Sequence, residues 1–582
     1  LTSRLRPGGP RGRRGVVRRA LLGGLATVLL VVAWTAWTAW HARHELAQAR
    51  AEIASLDDRD GLTPARVDEV AQRVQQHLAS ADGDLGQPQW ALIAALPVVG
   101  DDVGVLRDAV SAGSDLATAA VDRLSIARAA LDRLQVRGGG LDLDALARLQ
   151  EVLARVQPDV RAAADRLDAL DTTGVSSRVA EPVESLRTRV DELQGSVDGG
   201  RTAVDVLADL LAGRRSYALV FQNSAELRST GGLPGAWTQL RVDDGRVRVG
   251  RQGAGQDVVA TAPVAPVDAS FEQAFTDGVA QDFRNTNLVP DYPTAASLQR
   301  RLLARVARLD VDGVVAIDPV AVSLLMRATG PITVDGRRLD ADTVVPFLLS
   351  EVYALYPDPD RQDEVFAEVV RVVFEKVTSG GLDPLQLMRQ ARQAIDQRRL
   401  LVWSADERTQ RLIAPTPVSG ALPRGQAVGV YLSDDTRAKM SYYLDVSTLA
   451  RTDGCTAAGA QRYDVTLTLR STAPADAAAT LPAYVLGTPY GPKGSQAVQV
   501  VLVGPRGGRI DTPTLLGRPL PFRRARMLDR PALILGLPLG PGDALLVDAT
   551  MTGPAGGRGP TDYAVTPTVR YASTLHTLPP AC

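Results

Sequence analysis

Histidine is nearly missing from this 582-residue chain. Its four copies are His41, His44, His77 and His576, so residues 78–575 contain none. That excludes a Ser-His-Asp triad, a Cys-His pair and a histidine-ligated zinc from the main body. Cysteine is as scarce, with only Cys455 and Cys582. Outside the cytoplasm the two could pair, closing a loop that contributes on the order of 4–5 kcal/mol in the chain-entropy picture, or they stand as two free thiols. Lysine is confined to Lys376, Lys439 and Lys493, and asparagine to Asn223, Asn285 and Asn287. Arginine in place of lysine is the coding bias of a GC-rich bacterial genome, so its abundance carries no functional weight. A net charge of -1, charges mixed evenly after the basic start, and only 4% aromatic residues leave no basic, aromatic-laced face for nucleic acid. Nucleotide motifs are missing too: Gly491-Pro492-Lys493-Gly494 lacks Walker spacing, and no G-x-G-x-x-G surrounds Gly253 and Gly255.

One long uncharged run is present, from Ala20 to Trp40, and no second one of that length follows. Twenty-one residues at 1.5 Å rise give roughly 31 Å of helix, enough to cross a bilayer core. Arg4, Arg6, Arg11, Arg13, Arg14, Arg18 and Arg19 precede it, with no acidic residue before Glu45, and Trp34, Trp37 and Trp40 close it. Arginine before the span and an aromatic belt after it predict a single-pass anchor, with residues 1–19 cytoplasmic and the bulk of the chain extracytoplasmic. A cleaved signal peptide is the rival reading, although no small-x-small site follows Trp40.

The remainder is too long for one core and predicts a multidomain α+β protein. Residues 41–212 carry helical periodicity. Leu146, Leu149, Leu153, Val156, Val160, Ala163, Leu167 and Leu170 form one stripe, and Leu186, Val190, Leu193 and Val197 a second. Two stripes joined by a short break predict antiparallel helices in a stalk or bundle, with Pro158 kinking or restarting the first. Residues 213–415 alternate strand and helix signals and predict a mixed α/β domain, with strands at 217–222, 236–242, 246–249, 313–317 and 331–334. Helices are expected at 295–309, 319–328, 341–356, 361–377 and 384–398. Residues 420–582 read as a β-rich, sandwich-like domain, with strands at 427–432, 440–449, 463–470, 497–503, 544–551 and 563–571, and 504–542 left as loop or insertion.

Four polar strings sit on connections between these elements, where sites are usually carried. The first, Gln222–Trp237 (QNSAELRSTGGLPGAW), offers Asn223, Glu226 and Arg228; structurally, Asn223 would cap a helical turn and Gly231-Gly232 turn the chain. Glu226 and Arg228 are groups suited to a metal or a phosphate oxygen. The second, Asp282–Tyr292 (DFRNTNLVPDY), holds Arg284 and the remaining asparagines, Asn285 and Asn287, and otherwise reads as a turn before Pro290. In the third, Asp310–Pro319 (DVDGVVAIDP), Asp318 would cap the next helix. In the fourth, Tyr356–Phe366 (YPDPDRQDEVF), Arg361 opens a helix whose start Asp358 and Asp360 favour.

Taken in this order behind one anchor and a helical stalk, NSAELRSTGG, FRNTNLVPDYP, DGVVAIDP and the YPDPDR helix resemble the domain-of-unknown-function family 4012 (DUF 4012) over Tyr217–Phe374, with Leu233 where an aromatic is usual. The resemblance implies an envelope setting in Gram-positive bacteria and no reaction. The order of strand, arginine loop, strand, second arginine loop and D-x-x-R helix is more distantly similar to the LytR-CpsA-Psr phosphotransferases. Those enzymes move a glycopolymer from a lipid pyrophosphate carrier to the cell wall. That likeness implies that Arg228, Arg284 and Arg361 hold the pyrophosphate and that Glu226 or Asp318 binds magnesium. The chain departs from it at Thr230 and Asn285, where carboxylates are expected. The reading that follows is an envelope protein that binds cell-wall glycan, a lipid-linked precursor or a protein partner, with a metal-dependent phosphotransferase as the alternative.

Overall fold

The structure is a computed structural model. It describes residues 11–582 except 56–63, 98, 135, 138–139, 276–277, 424, 488–491 and 571–575, with side chains from residue 28 onward apart from isolated positions. The multidomain α+β expectation holds: the chain divides into a helical unit, 1–133 with 144–204, and a mixed unit, 134–143 with 205–582.

The helical unit is built from α1 (Arg11–Ala54), α2 (Pro64–Leu85), α3 (Pro88–Ala94), α4 (Gly100–Arg133), α5 (Leu143–Asp168) and α6 (Ser177–Leu211). Ala163, Ala164 and Leu167 of α5 share a buried cluster with Val183 and Val190 of α6 and Ala109 and Ala112 of α4. The α5–α6 turn is fixed by Arg187, whose Nε donates to the Leu167 carbonyl at 2.8 Å and whose second guanidinium nitrogen reaches that of Leu170. These are carbonyls that a helix end leaves without partners. Pro158 does not restart α5, which runs unbroken past it. The proline is exposed, so water can satisfy the carbonyl it strands. Among the described residues no helix is long and apolar enough to cross a membrane. The expected span at 20–40 falls partly outside them, since the side chains of 20–27 are not described.

The mixed unit starts from a seven-stranded sheet. It comprises β1 (Val136–Arg137), β2 (Gly140–Leu141), β3 (Arg214–Arg228), β4 (Gly231–Asp243), β5 (Arg246–Ala254), β6 (Gly313–Ile317) and, after the small hairpin β7 (Ile332–Val334) and β8 (Arg337–Leu339), β9 (Leu400–Ser404). The order is β1-β2-β5-β4-β3-β6-β9, with β3 and β6 parallel in the register Tyr217↔Gly313 to Phe221↔Ile317. Period-two alternation along β3 serves two cores. Ala218 and Val220 face a layer with α8 (Tyr292–Arg305), reached after the short α7 (Ala269–Ala274), while Leu219 and Phe221 face α9 (Pro319–Thr329) and α12 (Pro359–Ser379). The single helix expected at 341–356 is instead α10 (Val344–Pro346), a π turn at Phe347–Glu351 and α11 (Val352–Leu355). The wider turn buries Phe347, Leu348 and Leu349 together, which a regular 3.6-residue pitch would spread around the helix. The helix near 384–398 is α13 (Pro384–Asp396).

Two further sheets face each other across one apolar core. One contains β10 (Ala427–Asp434), β13 (Gln496–Val503), β17 (Arg523–Met527), β18 (Arg530–Leu539), β20 (Thr561–Val565) and β21 (His576–Leu578). The other contains β11 (Leu444–Cys455), β12 (Gln461–Ser471), β19 (Ala544–Thr552) and the short β14 (Arg509–Ile510), β15 (Thr514–Leu515) and β16 (Arg518–Pro519). The stretch 504–542 left as loop thus supplies five strands. Its long strand, β18, is apolar over Ala532–Leu535 because both faces are covered there, while Gly536 and Pro538 face outward. The strand expected at 440–449 begins as a 3-10 turn, Met440–Tyr443, and that expected at 563–571 ends at Val565, with 571 outside the described residues. The outer face of the β10 sheet packs Tyr431, Val501, Val503 and Ile534 against Phe271, Phe275, Leu288 and Val289, so the α/β half and the β half share one interior.

Cys455 and Cys582 are disulfide-bonded, with Cα atoms 5.6 Å apart across 127 residues. Cys582→Ser should lower the unfolding free energy by up to about 4–5 kcal/mol, read as a lower urea midpoint. A midpoint equal to that of the oxidised parent would show that the loop is already ordered in the unfolded chain.

Candidate functional site

The long strand β3 does not pair smoothly with β4. The register moves from Asn223↔Leu233 to Leu227↔Gly232, leaving Ser224, Ala225 and Glu226 as a bulge. The helical turn that Asn223 was expected to cap is therefore absent. With the ladder holding both flanks, the Asn223 Oδ1 accepts instead from the Ala225 N–H at 3.0 Å. Gly232 allows this close pairing, since a Cβ there would lie 2.5 Å from the Asn223 carbonyl carbon. The bulge turns Glu226 into a cleft and lets Leu227 enter the core between the two C-terminal sheets.

The cleft has two arms that meet at Glu226, Leu233, Gln256, Arg284, Lys439 and Tyr484. One arm, about 930 Å³ and open to solvent, is mostly apolar: Phe221, Val322, Leu348, Leu349, Phe366 and Val370 line it. The other, about 1480 Å³, is polar, with Arg228, Arg437 and Arg523 facing Ser433, Asp434 and Asp435. At the junction the ammonium of Lys439 pairs with the Glu226 carboxylate, with side chains only 5% and 12% exposed. It also lies 5.1 Å from the Tyr353 ring centroid and 4.3 Å from that of Tyr484. Burial alone would lower the pKa of Lys439, but Glu226 and the two phenols outweigh it and leave it raised. Lys439 therefore stays charged.

Behind Lys439 a buried loop presents Arg437. The Asp434 carboxylate accepts from Thr436 Oγ1 at 2.6 Å and from the Thr436 and Ala438 N–H groups at 3.2 Å. This places Arg437 at a φ of +53° with its side chain exposed. A non-glycine residue held in that region costs energy and persists where surrounding contacts impose it. Burial pushes the Asp434 carboxyl up to about 6, against the Thr436 bond and Arg228. Arg228 is itself buried; its Nη1 donates to the Leu227 and Asp434 carbonyls, and its Nε has no partner. Arg523 donates to the Gln273 and Ala274 carbonyls. Among the described residues none of Arg228, Arg437 and Arg523 has an ion-pair partner. The polar arm thus holds three guanidinium groups outside ion-pair distance of a carboxylate, although Asp434 acts electrostatically on Arg228 and Glu226, Asp282 and Asp435 line the same arm.

The residues proposed from sequence divide accordingly. Asn223, Glu226, Arg228, Arg284 and Asn285 line the cleft. Asn223 Nδ2 donates to the Tyr353 hydroxyl at 2.9 Å, and Arg284 is held on Asp282 through two bonds of 3.0 and 2.7 Å. Arg361 lies elsewhere: half-buried, it bridges Asp335 at 3.1 Å and Glu364 at 2.8 Å over the Tyr356 ring. The three arginines therefore do not share one cleft. Asn287 is fully buried, bonding the Gly232 carbonyl and Gln299, and so fixes the hairpin from within. Asp318 is 1% exposed and fully engaged: one oxygen caps α9 through the Ala321 N–H, and the other takes Arg399 Nη1 at 2.6 Å. Glu226 is held on Lys439 through one oxygen, and both Asp318 oxygens are engaged. No group of three potential metal ligands gathers among the described residues. Sequence reasoning missed Lys439, Arg437, Arg523, Tyr353 and Tyr484. A usable signal existed for Lys439, one of only three lysines in an arginine-biased chain.

Lys439→Met should cost about 3–5 kcal/mol in guanidinium unfolding, because it strands a buried carboxylate. Adding Glu226→Leu should recover most of that loss, and equal losses in the single and double variants would refute the coupling. Asp363, in the apolar arm, gives a pH test. Burial pushes its carboxyl up to about 6, Lys439 opposing and Asp360, Asp257 and Glu226 adding. The folded chain then keeps a proton that the unfolded chain has released, so stability falls as pH rises from about 4 to 6 and stays lower above it. Asp363→Asn should raise Tm at pH 8 and leave it unchanged at pH 3; the reverse ordering would contradict this environment.

Comparison with known proteins adds one finding. No curated protein and no solved structure matches the chain, but the family model described as "Protein of unknown function (DUF4012)" matches residues 212–353, from the start of the central sheet to Tyr353 in the cleft wall.

Proposed function

We propose that the chain is a membrane-anchored, extracytoplasmic protein of the cell envelope of a GC-rich Gram-positive bacterium, and that its cleft binds a lipid-linked anionic intermediate. The observation that carries the reading is the joining of an apolar arm to a polar, arginine-bearing arm at Lys439. The first matches the chemistry of an isoprenoid or acyl chain lying along an open apolar surface, and the second that of a phosphate or pyrophosphate. Arg228, Arg437 and Arg523 supply donors that no ion pair occupies, an arrangement suited to phosphate oxygens. Anchoring is supported by α1, where Val28, Leu29, Leu30, Val31 and Val32 are all more than 40% exposed and Trp34, Trp37 and Trp40 follow. Consecutive residues point all round a helix, so this apolar surface has no single buried side and suits lipid. The disulfide suits an oxidising compartment.

Binding is favoured over phosphotransfer because the carboxylates that transfer would need are committed elsewhere: Asp318 to Arg399, and Glu226 to Lys439. Detergent-solubilised full-length protein should bind a polyprenyl phosphate more tightly than either inorganic phosphate or the neutral polyprenol. Arg437→Ala should weaken that binding about ten- to a hundredfold, the loss of one charge-assisted contact of about 1.5–3 kcal/mol. Equal affinity for polyprenol and its phosphate, or an unaffected Arg437→Ala, would remove the reading. Magnesium-dependent turnover of the carrier would replace it with the transferase alternative.

A further inference from the structure

The first helices of the chain fix which end of the bundle lies nearest the anchor. Glu52 of α1 pairs with Arg73 of α2 at 3.1 Å, Glu45 with His77 at 2.7 Å, and His41 with Asp84 at 2.6 Å. As α2 advances, its partners step back along α1 toward Trp40, so α2 runs antiparallel and descends to the end of the apolar run. The next contact continues the series: Trp90 Nε1 donates to Thr38 Oγ1 at 3.2 Å, inside that run. α4 then climbs away, with Val103, Leu106 and Val110 in the cluster that holds Trp90, Ala42 and Leu85, and Gly113 beside Leu78. The turn from α2 to α4 therefore sits level with the tryptophan belt.

The composition of that turn fits its level. From Leu85 to Gly100 the chain reads LGQPQWALIAALPVVG, without a charged residue, while Asp84, Asp101 and Asp102 flank it. Leu92, Leu96 and Val99 are 74%, 52% and 47% exposed, among the most open apolar side chains outside α1. A contiguous apolar tip of this kind, closed by charges at both ends, marks a surface that meets an apolar phase. Trp90 buries its ring under α1 and satisfies its N–H on Thr38, so the tip is fixed against the anchor and cannot fold away to cover its leucines.

We infer that the α2–α4 turn is a second, monotopic membrane contact, with Leu92, Leu96 and Val99 seated in the outer boundary of the same bilayer that α1 crosses. The occupant is the lipid itself. Interfacial segments of this type bury their apolar face some 5–10 Å into the headgroup and acyl boundary. Two contacts side by side, one spanning and one lying in the interface, set the tilt of the helical unit on the membrane. The inference rests on the anchor reading above.

The test uses the full chain in phosphatidylcholine vesicles, with Leu96→Cys carrying an environment-sensitive fluorophore; the native cysteines are bonded to each other and do not react. The control is Glu69→Cys, exposed on α2 near Arg73 and so near the far end of the α1–α2 pair. The Leu96 label should show blue-shifted emission and lose most of it to phospholipid spin-labelled near the acyl carbonyl, while the Glu69 label stays water-like and unquenched. A water-like, unquenched Leu96 label on protein that resists alkaline carbonate extraction would overturn the inference and leave the anchor standing. Release of the protein by carbonate would overturn both.

Discussion

Two charges, on Glu226 and Lys439, leave water together, and the cleft is organised around them. A buried ion pair gains little net stability, because desolvation consumes most of the Coulomb attraction. What it supplies here is position. Glu226 reaches the pair only because β3 bulges, and Lys439 only because the Asp434 loop is tied down by its own carboxylate. Tyr353 and Tyr484 close over the ammonium from the apolar side, and Arg228 and Arg437 stand on the polar side. Loss of the pair would therefore remove the partition between the two arms as well as one contact.

The choice of lysine at this point has a physical reason that coding bias hides. An ammonium is compact and accepts ring faces from two directions while still touching one carboxylate oxygen; a guanidinium is planar and would have to present an edge to one partner and a face to another. In a chain that uses arginine almost everywhere, lysine persists where a point charge is needed. Arg399 shows the converse. Its planar fork bonds Asp318, Gln397 and the Thr568 carbonyl at once, reaching three separated acceptors from three different nitrogens where lysine has only one.

Much of the fold was legible because its signals are local. The strand Gly313–Ile317, the cap of α9 by Asp318 and the proline-led starts of α9 and α13 follow from periodicity and capping chemistry within a few residues. The site was legible only in part, for the opposite reason. Glu226, Arg228 and Arg284 stood out as polar groups on short connections, but the partners of Glu226 and Arg228, Lys439 and the Asp434 carbonyl, come from the β-rich half some two hundred residues later, and no periodicity reports that. Arg361 misled because its helix opening carries the same letters whether its guanidinium faces a ligand or the Asp335 and Glu364 carboxylates. Asn287 was singled out for its rarity, which turned out to reflect a buried hairpin clamp.

The reach of β3 bears on how the molecule is assembled. Its first half pairs with β6, about a hundred residues on, while Leu227 at its far end is buried with Leu432, Val500 and Met551. Contacts so distant along the chain form late, since loop closure must be met before they contribute anything. The cleft therefore rests on contacts whose loop-closure cost is high. The boundary of the matched family region, 212–353, runs through this cooperative unit rather than around it. A fragment cut there would keep the bulge and its carboxylate but lose Lys439, the walls contributed by Phe366 and Val370, and the core that receives Leu227. It would present an exposed strand end where the whole chain has a two-armed cleft.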